Sequence, residues 1–425
     1  MTELATENTG PLAGVRILDM TSVVFGAYAT QMLGDLGADV IKVEFPGGRR
    51  GDGGDIMRWA GKVPDGAPSD LGPIFMTINR NKRSVLLDVR KVEDAAALNA
   101  LIPTCDVFAA SVRYEGLRRL GLDYDAVRAL RPDVIYCHGA GYGSDGPYAG
   151  EPAYDDLVQA ASGLADLLPR TDGAPEPRYL PSLIADKVSG LFMSQAITAA
   201  LYHRQRTGEG QFVEVPMLEC VASFNLAEHF FGHVFDPPTG QWTYSRVTTP
   251  NRRPYPTLDG HIGLLPYSDL QWRQFFDLAG WSETVAKDPR FATDAARMQN
   301  LPALYGLLDQ ATATKTTAEW LALLRPLSIP VTPMNRMDDL QRDPHLAAVG
   351  LFQTYEHPHA GPYHAVRPPV RYGLTPANIR RHPPRLGEHT TEVLAELGIT
   401  LAAAEALAPA QRGRGLGEGA FDAEQ

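Results

Sequence analysis

The chain has 425 residues, 44% of them apolar and 21% charged, with a formal net charge of −11. That length predicts two domains and the composition is that of an ordinary globular protein, which excludes a disordered or fibrous chain. The acidic balance argues against general nucleic-acid binding, so a polyphosphate ligand needs a local cluster of Arg and Lys.

In chain order, residues 1–10 read as a loose arm. Short apolar runs then alternate with helical patterns. VRILDM (15–20) is a predicted strand and AYATQMLGDLG (27–37) a helix closed by glycine. DVIKVE (39–44) and SVLLDV (84–89) are predicted strands, VEDAAALNALI (92–102) a helix, and DVFAAS (106–111) and DVIYCHGA (133–140) strands. Residues 183–210 read as one long helix with Asp186 near its start, basic residues near its end and Gly208 after it. FVEVPM (212–217) is a strand, followed by a helix to about Phe231. Residues 232–256, rich in Pro, Gly, Thr and Arg, read as a linker. A second unit begins near DGHIGLLPY (259–267) and ends near SIPVTPMN (328–335), and LGEHTTEVLAELGI (386–399) enters a last helix before a polar tail. Strands alternating with helices predict an α/β fold with a doubly wound parallel sheet.

Cys105, Cys137 and Cys220 have neither C-x-x-C nor zinc spacing, which fits a reduced compartment and no metal site. MTELATENTGPLAG lacks the apolar stretch of a signal peptide, and no run of about 18 apolar residues occurs. A cytoplasmic chain with no membrane partner is expected. His138, His229, His233 and His261 stand alone and read as structural or surface residues.

Gly141, Gly143 and Gly146 match G-x-G-x-x-G, the fingerprint of a dinucleotide turn. That turn works because a helix follows directly and offers its N-terminus to a pyrophosphate. Here Pro147, Gly150 and Pro152 follow instead, and the run comes after the fifth strand rather than the first. It reads as a tight loop at the carboxyl end of a strand, where such folds build their sites.

Several stretches together carry a resemblance. They are PLAGVRILDMTSVVFGAYATQMLGDLGADVIKVE (11–44), NRNKRSVLLD (79–88), GYGSDGP (141–147), AYDDLVQAASG (153–163), ADKVSG around Asp186, HRQRTGEGQFVEVPMLE (203–219) and LGEHT (386–390). In this order they resemble the family III CoA-transferases, the group of formyl-CoA, carnitine and bile-acid CoA-transferases and α-methylacyl-CoA racemases. The resemblance covers about residues 11–400. It implies a large doubly wound domain built from both chain ends, a smaller inserted α/β domain and an interlocked homodimer. The implied boundaries are 1–225 for the first part of the large domain, 226–256 for a linker, 257–330 for the small domain and 331–425 for a linker and the rest of the large domain. The substrates implied are an acyl-CoA thioester and a carboxylic acid, with no permanently bound cofactor.

Asp186 matches the family's catalytic aspartate. A carboxylate suits the chemistry, because its attack on a thioester gives an anhydride that can pass CoA back, where a serine ester would be too unreactive. A helix N-terminus favours the ionised carboxylate. On its local sequence alone, Asp186 reads as a helix cap; the resemblance makes it the nucleophile. Tyr154 stands where the racemases carry a His. Tyr ordinarily titrates near 10, a poor match for removing an α-proton at neutral pH, so transfer is favoured over racemisation. Asp155 stands where transferases have an acidic residue, and reads equally as a cap for DDLVQAASG. A racemase or isomerase, or a non-catalytic CoA-binding protein, are the alternative functions.

For CoA, the resemblance points to Arg90 and Arg119 at the phosphates, with Val23, Phe25, Leu87, Ser111 and Val112 along the adenine and pantetheine path. Arg suits phosphate because its planar fork donates two parallel hydrogen bonds. Lys82 and Arg83 read as structural or as a solvated charge run. Several positions depart from the formyl-CoA transferases: Val24 replaces a Gln, Ser111 an Asn, and Phe45 an Arg, with Arg49 and Arg50 slightly later. Residues 247–260 stand in place of a glycine-rich flap. These departures point away from oxalate or formate toward a bulkier or more apolar acyl group. The Arg252–Arg253 pair reads either as a partner for a second carboxylate or as a solvated linker.

Overall fold

The computed structural model describes residues 1–47 and 53–399. Arg49 and Arg50 lie outside the described residues, as does the tail from 400. Two compact units divide the chain. One comprises Met1–Ser162, Leu180–Phe224 and the chain from Ala348, and the other Gly163–Tyr179 and Asn225–Ala347.

The first unit is built on β1 (Arg16–Met20), α1 (Phe25–Asp35), β2 (Asp39–Glu44), β3 (Lys82–Leu86), α2 (Val92–Leu101), β4 (Val107–Ala110), β5 (Ile135–Ala140), α3 (Asp155–Ala161), α4 (Ile184–Thr207), β6 (Phe212–Pro216) and the part of α5 (Met217–His229) up to Phe224. The six strands form one sheet in the order β3-β2-β1-β4-β5-β6, and every described pairing in it is parallel. This is the predicted doubly wound arrangement. Parallel strands covered on both faces are apolar at nearly every position. Leu18 pairs with Ile41 and Phe108, and Phe108 with Tyr136. Those four belong to a core cluster with Leu98, Leu101, Val393 and Leu394. Ile17, Val40, Val107 and Ile135 alternate with them, also fully buried, and line the opposite face. The order reverses at β1 and β4, so the crevice beyond their carboxyl ends is where such a sheet offers a ligand site.

Several boundaries differ from the sequence expectation. α1 begins at Phe25, two residues early, directly after a turn in which Val23 takes φ +63°. It ends where Gly37 takes φ +108°, the left-handed conformation that favours glycine. β3 begins at Lys82 rather than 84, and the charge run is not solvated. Lys82 is fully buried, with Nζ 3.0 Å from Asp19 Oδ2 and donating to Ala27 O and Asn79 Oδ1. Arg83 is also buried and pairs with Asp39, Glu392 and Glu396. Charged residues enter this sheet because partners for them are buried with it. α5 closes at His229, close to the helix end expected at about Phe231.

In the second unit, β7 (Tyr255–Pro256), β8 (His261–Leu264) and β9 (Val331–Pro333) form an antiparallel sheet with α6 (Asp269–Ala279), α7 (Leu301–Thr312) and α8 (Thr317–Leu324). Capping boxes start α6 at Ser268/Gln271 and α8 at Thr316/Glu319. Its core holds Trp320, Phe275, Leu304 and Leu308. Beyond Ala348 the chain forms a hairpin of β10 (Phe352–His357) and β11 (Gly361–Val366), which the sequence reading missed, and α9 (Thr390–Glu396), which packs in the first unit's core.

Candidate active site

α1 and α4 are among the helices that begin without a side-chain cap of their own. α1 follows Val24 and α4 follows Leu183, and neither residue caps the backbone. The first N–H groups of a helix must nonetheless find acceptors when buried. The fold supplies them across elements. The Phe25 N–H at the start of α1 faces the carboxylate of Asp186, the third residue of α4, and favours its ionised form. Asp155, the first residue of α3, accepts the Asp186 N–H on Oδ2 at 3.1 Å. Gln159 donates to Asp155 Oδ1 at 2.6 Å and to Ser182 O at 3.2 Å, and accepts the Leu180 N–H at 2.9 Å. Gln159 thus ties α3 to the segment leading into α4. The sequence reading missed it, although its i,i+4 spacing from Asp155 was visible.

α1 and α4 approach closely because α4 carries Gly190. A Cβ there would lie 2.8 Å from the Phe25 carbonyl oxygen. Gly139 at the end of β5 does the same for the Phe25 ring, where a Cβ would come within 2.6 Å. Phe25 is therefore gripped on both sides, and its N–H is aimed by packing.

Asp186 is 7% exposed and Asp155 5%. Burial, then the neighbouring Asp155 charge, push the Asp186 carboxyl up from 3.8 to about 7, against the Phe25 hydrogen bond. The helix start was expected to favour the ionised form. One N–H and a helix dipole do not offset desolvation beside a second carboxylate. The outcome is a carboxylate poised near neutrality and poorly solvated, properties suited to a nucleophile.

The glycine loop lies beyond β5. Its backbone is held by two carboxylates: Glu219 Oε1 accepts the Gly143 N–H at 2.8 Å, and Glu214 Oε2 accepts the Ser144 N–H at 3.1 Å. A Cβ at Gly141 would meet Ala153 Cβ at 2.2 Å, so glycine lets the loop turn back against the entrance to α3.

A match to the family model of CoA-transferase family III runs over residues 12–390. The chain belongs to CoA-transferase family III. It is 34% identical over 394 residues to a succinate–glutarate CoA-transferase of Agrobacterium fabrum, covering 91% of this chain and 96% of that one. It is 31% identical over 417 residues to a formyl-CoA:oxalate CoA-transferase of Afipia carboxidovorans, with 91% and 93% covered. Among solved structures, a CaiB/BaiF family protein from Brucella suis matches with a TM-score of 0.77 at 31% identity, covering 92% of this chain and all of the other. The family III chain is thus an enzyme that transfers CoA, and its thioesters are substrates.

The positions named for CoA fall after the carboxyl ends of three strands of this family III sheet. Val23 and Phe25 follow β1, Leu87 and Arg90 follow β3, and Ser111, Val112 and Arg119 follow β4. Ser111 Oγ accepts the Ser22 N–H at 3.1 Å, joining the loops after β1 and β4 at the point where the strand order reverses. Val112 O receives His138 Nε2 at 3.0 Å. Leu87 is buried in the core cluster and its N–H donates to Glu44 O. Arg90 is exposed and reaches Asp88 at 2.7 Å, and Arg119 is exposed at the end of the short helix Tyr114–Arg119. Tyr154 immediately precedes α3, half-exposed, and does not cap it. Arg253 pairs with Asp309 at 2.8 Å within the second unit. Among the described residues, no group of His, Cys, Asp and Glu is arranged to hold a metal, and no helix is long and apolar enough to cross a membrane.

Proposed function

We propose that Asp186 is the nucleophile of a CoA transfer that runs through covalent intermediates. A carboxylate oxygen attacks the carbonyl carbon of the donor acyl-CoA. The C–S bond breaks, CoA leaves as thiolate, and an acyl–aspartyl anhydride remains. The thiolate adds to the Asp186 carbonyl and expels the donor carboxylate, giving an aspartyl-CoA thioester. The acceptor carboxylate then repeats the two steps in reverse and leaves as its CoA thioester, with Asp186 regenerated. No bond energy is lost to water, so ATP is not required.

The observation that carries this reading is the buried Asp186 carboxylate at the start of α4, held by Asp155 through its backbone N–H at 3.1 Å and faced by the Phe25 N–H. The same donor suits an oxyanion on the Asp186 carbonyl, where charge develops during attack. Asp155 and Gln159 hold the backbone of Asp186, so Asp155 acts as a positioning residue. Arg90 and Arg119 bind the CoA phosphates, with Val23, Phe25, Leu87, Ser111 and Val112 along the rest of the molecule. The enzyme works as a homodimer, which the exposed Leu191 and Tyr202 on α4 support, and in a reducing compartment, in keeping with free Cys105, Cys137 and Cys220. The kinship with a succinate–glutarate transferase makes dicarboxylates the first acids to test.

Incubation with succinyl-CoA followed by hydroxylamine is expected to leave a hydroxamate at residue 186, located by peptide mass spectrometry. Unmodified Asp186 across a panel of acyl-CoA donors would overturn the assignment. A chiral 2-methylacyl-CoA kept with the enzyme in deuterium oxide is expected to gain no α-deuterium, which separates transfer from racemisation.

A further inference from the structure

We infer that Asp55 and Lys42 are positioning residues for the reaction, acting through the turn at residues 21–24 that delivers the Phe25 N–H to Asp186. The inference rests on Asp186 being the reactive carboxylate.

That turn joins β1 to α1 without a glycine at its tightest point. Val23 sits there with φ +63°, in the left-handed region that β-branched side chains avoid. Such a conformation persists only where surrounding contacts over-determine it, and here side chains hold its backbone group by group. Asp19 Oδ1 accepts the Thr21 N–H at 2.9 Å, and Ser111 Oγ accepts the Ser22 N–H at 3.1 Å. Asp55 Oδ1 accepts the Val23 N–H at 3.2 Å and the Met57 N–H at 3.0 Å. Lys42 Nζ donates to Thr21 O at 2.7 Å and lies 2.9 Å from Asp55 Oδ2. Glu44 Oε1 fixes Asp55 in turn by accepting its N–H at 3.0 Å. Two residues past Val23 comes Phe25, whose backbone packs against Gly190 of α4 and whose N–H faces the Asp186 carboxylate.

Lys42 and Asp55 are almost fully buried. Asp19, Lys82, Glu44 and Arg58 are the other charged groups packed around them. A buried ion pair adds little net stability over apolar residues of the same volume. This pair's consequence is therefore geometric: it grips the Thr21 carbonyl and the Val23 N–H, the backbone groups that lead into the strained residue. Without it, Val23 relaxes toward negative φ and the first turn of α1 rotates, taking the Phe25 N–H off the carboxylate. Asp186 then keeps its burial and the Asp155 charge but loses the one contact that favours ionisation.

The test uses the full-length enzyme, succinyl-CoA and hydroxylamine, reading the rate of adduct formation at residue 186 against pH. Three variants are compared: Lys42→Met/Asp55→Ala, which removes the grip without stranding a buried charge; Val23→Pro, which cannot take positive φ and has no N–H to hold; and Asp55→Asn, which keeps an acceptor for the Val23 N–H. The first two are expected to slow adduct formation by about tenfold or more, in line with the cost of small misplacements at a reacting centre, and to move the acid limb to higher pH. Asp55→Asn, which keeps the Val23 acceptor but loses the pairing with Lys42, is expected to fall between them and wild type in both. A loss of packing alone would not move the acid limb. If either breaking variant folds cooperatively yet matches wild type in rate and acid limb, or if Asp55→Asn falls as far as they do, the inference is overturned. Absence of any adduct at Asp186 in the wild type would instead sink the nucleophile assignment, and the two failures are thereby distinct.

Discussion

Replacing Asp186 with Asn removes a carboxylate that the folded chain holds under strain. Its pKa is raised from 3.8 to about 7, by burial first and Asp155 second. A raised acid binds its proton more tightly in the folded chain than in the unfolded one. Stability therefore falls as pH climbs from about 4 to about 7, and the whole penalty is present above that window. Three pKa units at 1.36 kcal/mol each place the full penalty at about 4 kcal/mol. At pH 5, inside the window, linkage gives a penalty under about 2 kcal/mol. Asn keeps a carbonyl oxygen for the Phe25 N–H and carries no charge, so its other effects are equal at both pH values. The Asp186→Asn enzyme is expected to lose turnover and to be more stable than wild type, with the gain at pH 8 exceeding that at pH 5 by about 2–3 kcal/mol. Urea unfolding followed by circular dichroism at the two pH values measures this. An equal shift at pH 5 and pH 8, or a loss at pH 8, would refute the account of a desolvated carboxylate facing a second one.

Asp155→Asn removes the neighbouring charge while keeping an acceptor for the Asp186 N–H, so the acid limb of the adduct-forming rate is expected to move to lower pH; an unmoved or raised limb counts against the coupling. Gly190→Ala places a Cβ 2.8 Å from the Phe25 carbonyl, a backbone atom that cannot swing away. It is expected to cost about 1–3 kcal/mol in unfolding experiments and to slow adduct formation, outweighing alanine's better helix propensity. Arg58 holds Glu44 through Nε at 2.7 Å and Nη2 at 2.6 Å and stacks over Phe75. Arg58→Ala strands Glu44 in the core and is expected to cost about 3–5 kcal/mol at pH 7, read from the denaturation midpoint. Because Arg58 holds the Glu44 carboxyl below its ordinary value despite burial, that cost shrinks as pH falls and Glu44 is protonated.

The parallel sheet was legible because a strand buried on both faces has to be apolar along its length, and Ile17-Leu18, Val40-Ile41 and Val134-Ile135 say so locally. The long helix through Asp186 and its closing Gly208 were equally local signals, the glycine sitting at φ +77°. The burial of Lys82 and Arg83 was only half legible, since a pair of cations reads as structural or as solvent-facing until Asp19 and Asp39 are known to lie beside them. The hairpin at 352–366 lacked a recognisable two-residue turn signal.

At the site, Asp186, Asp155 and Tyr154 were marked by resemblance. What the residue order could not disclose is how Asp186 and Phe25 meet, 161 positions apart along the chain. Local pattern set the elements, because helix and strand periodicity depend on near neighbours. Only the tertiary structure set the carboxylate's proton affinity, because desolvation and the Asp155 charge arise when distant segments exclude water together.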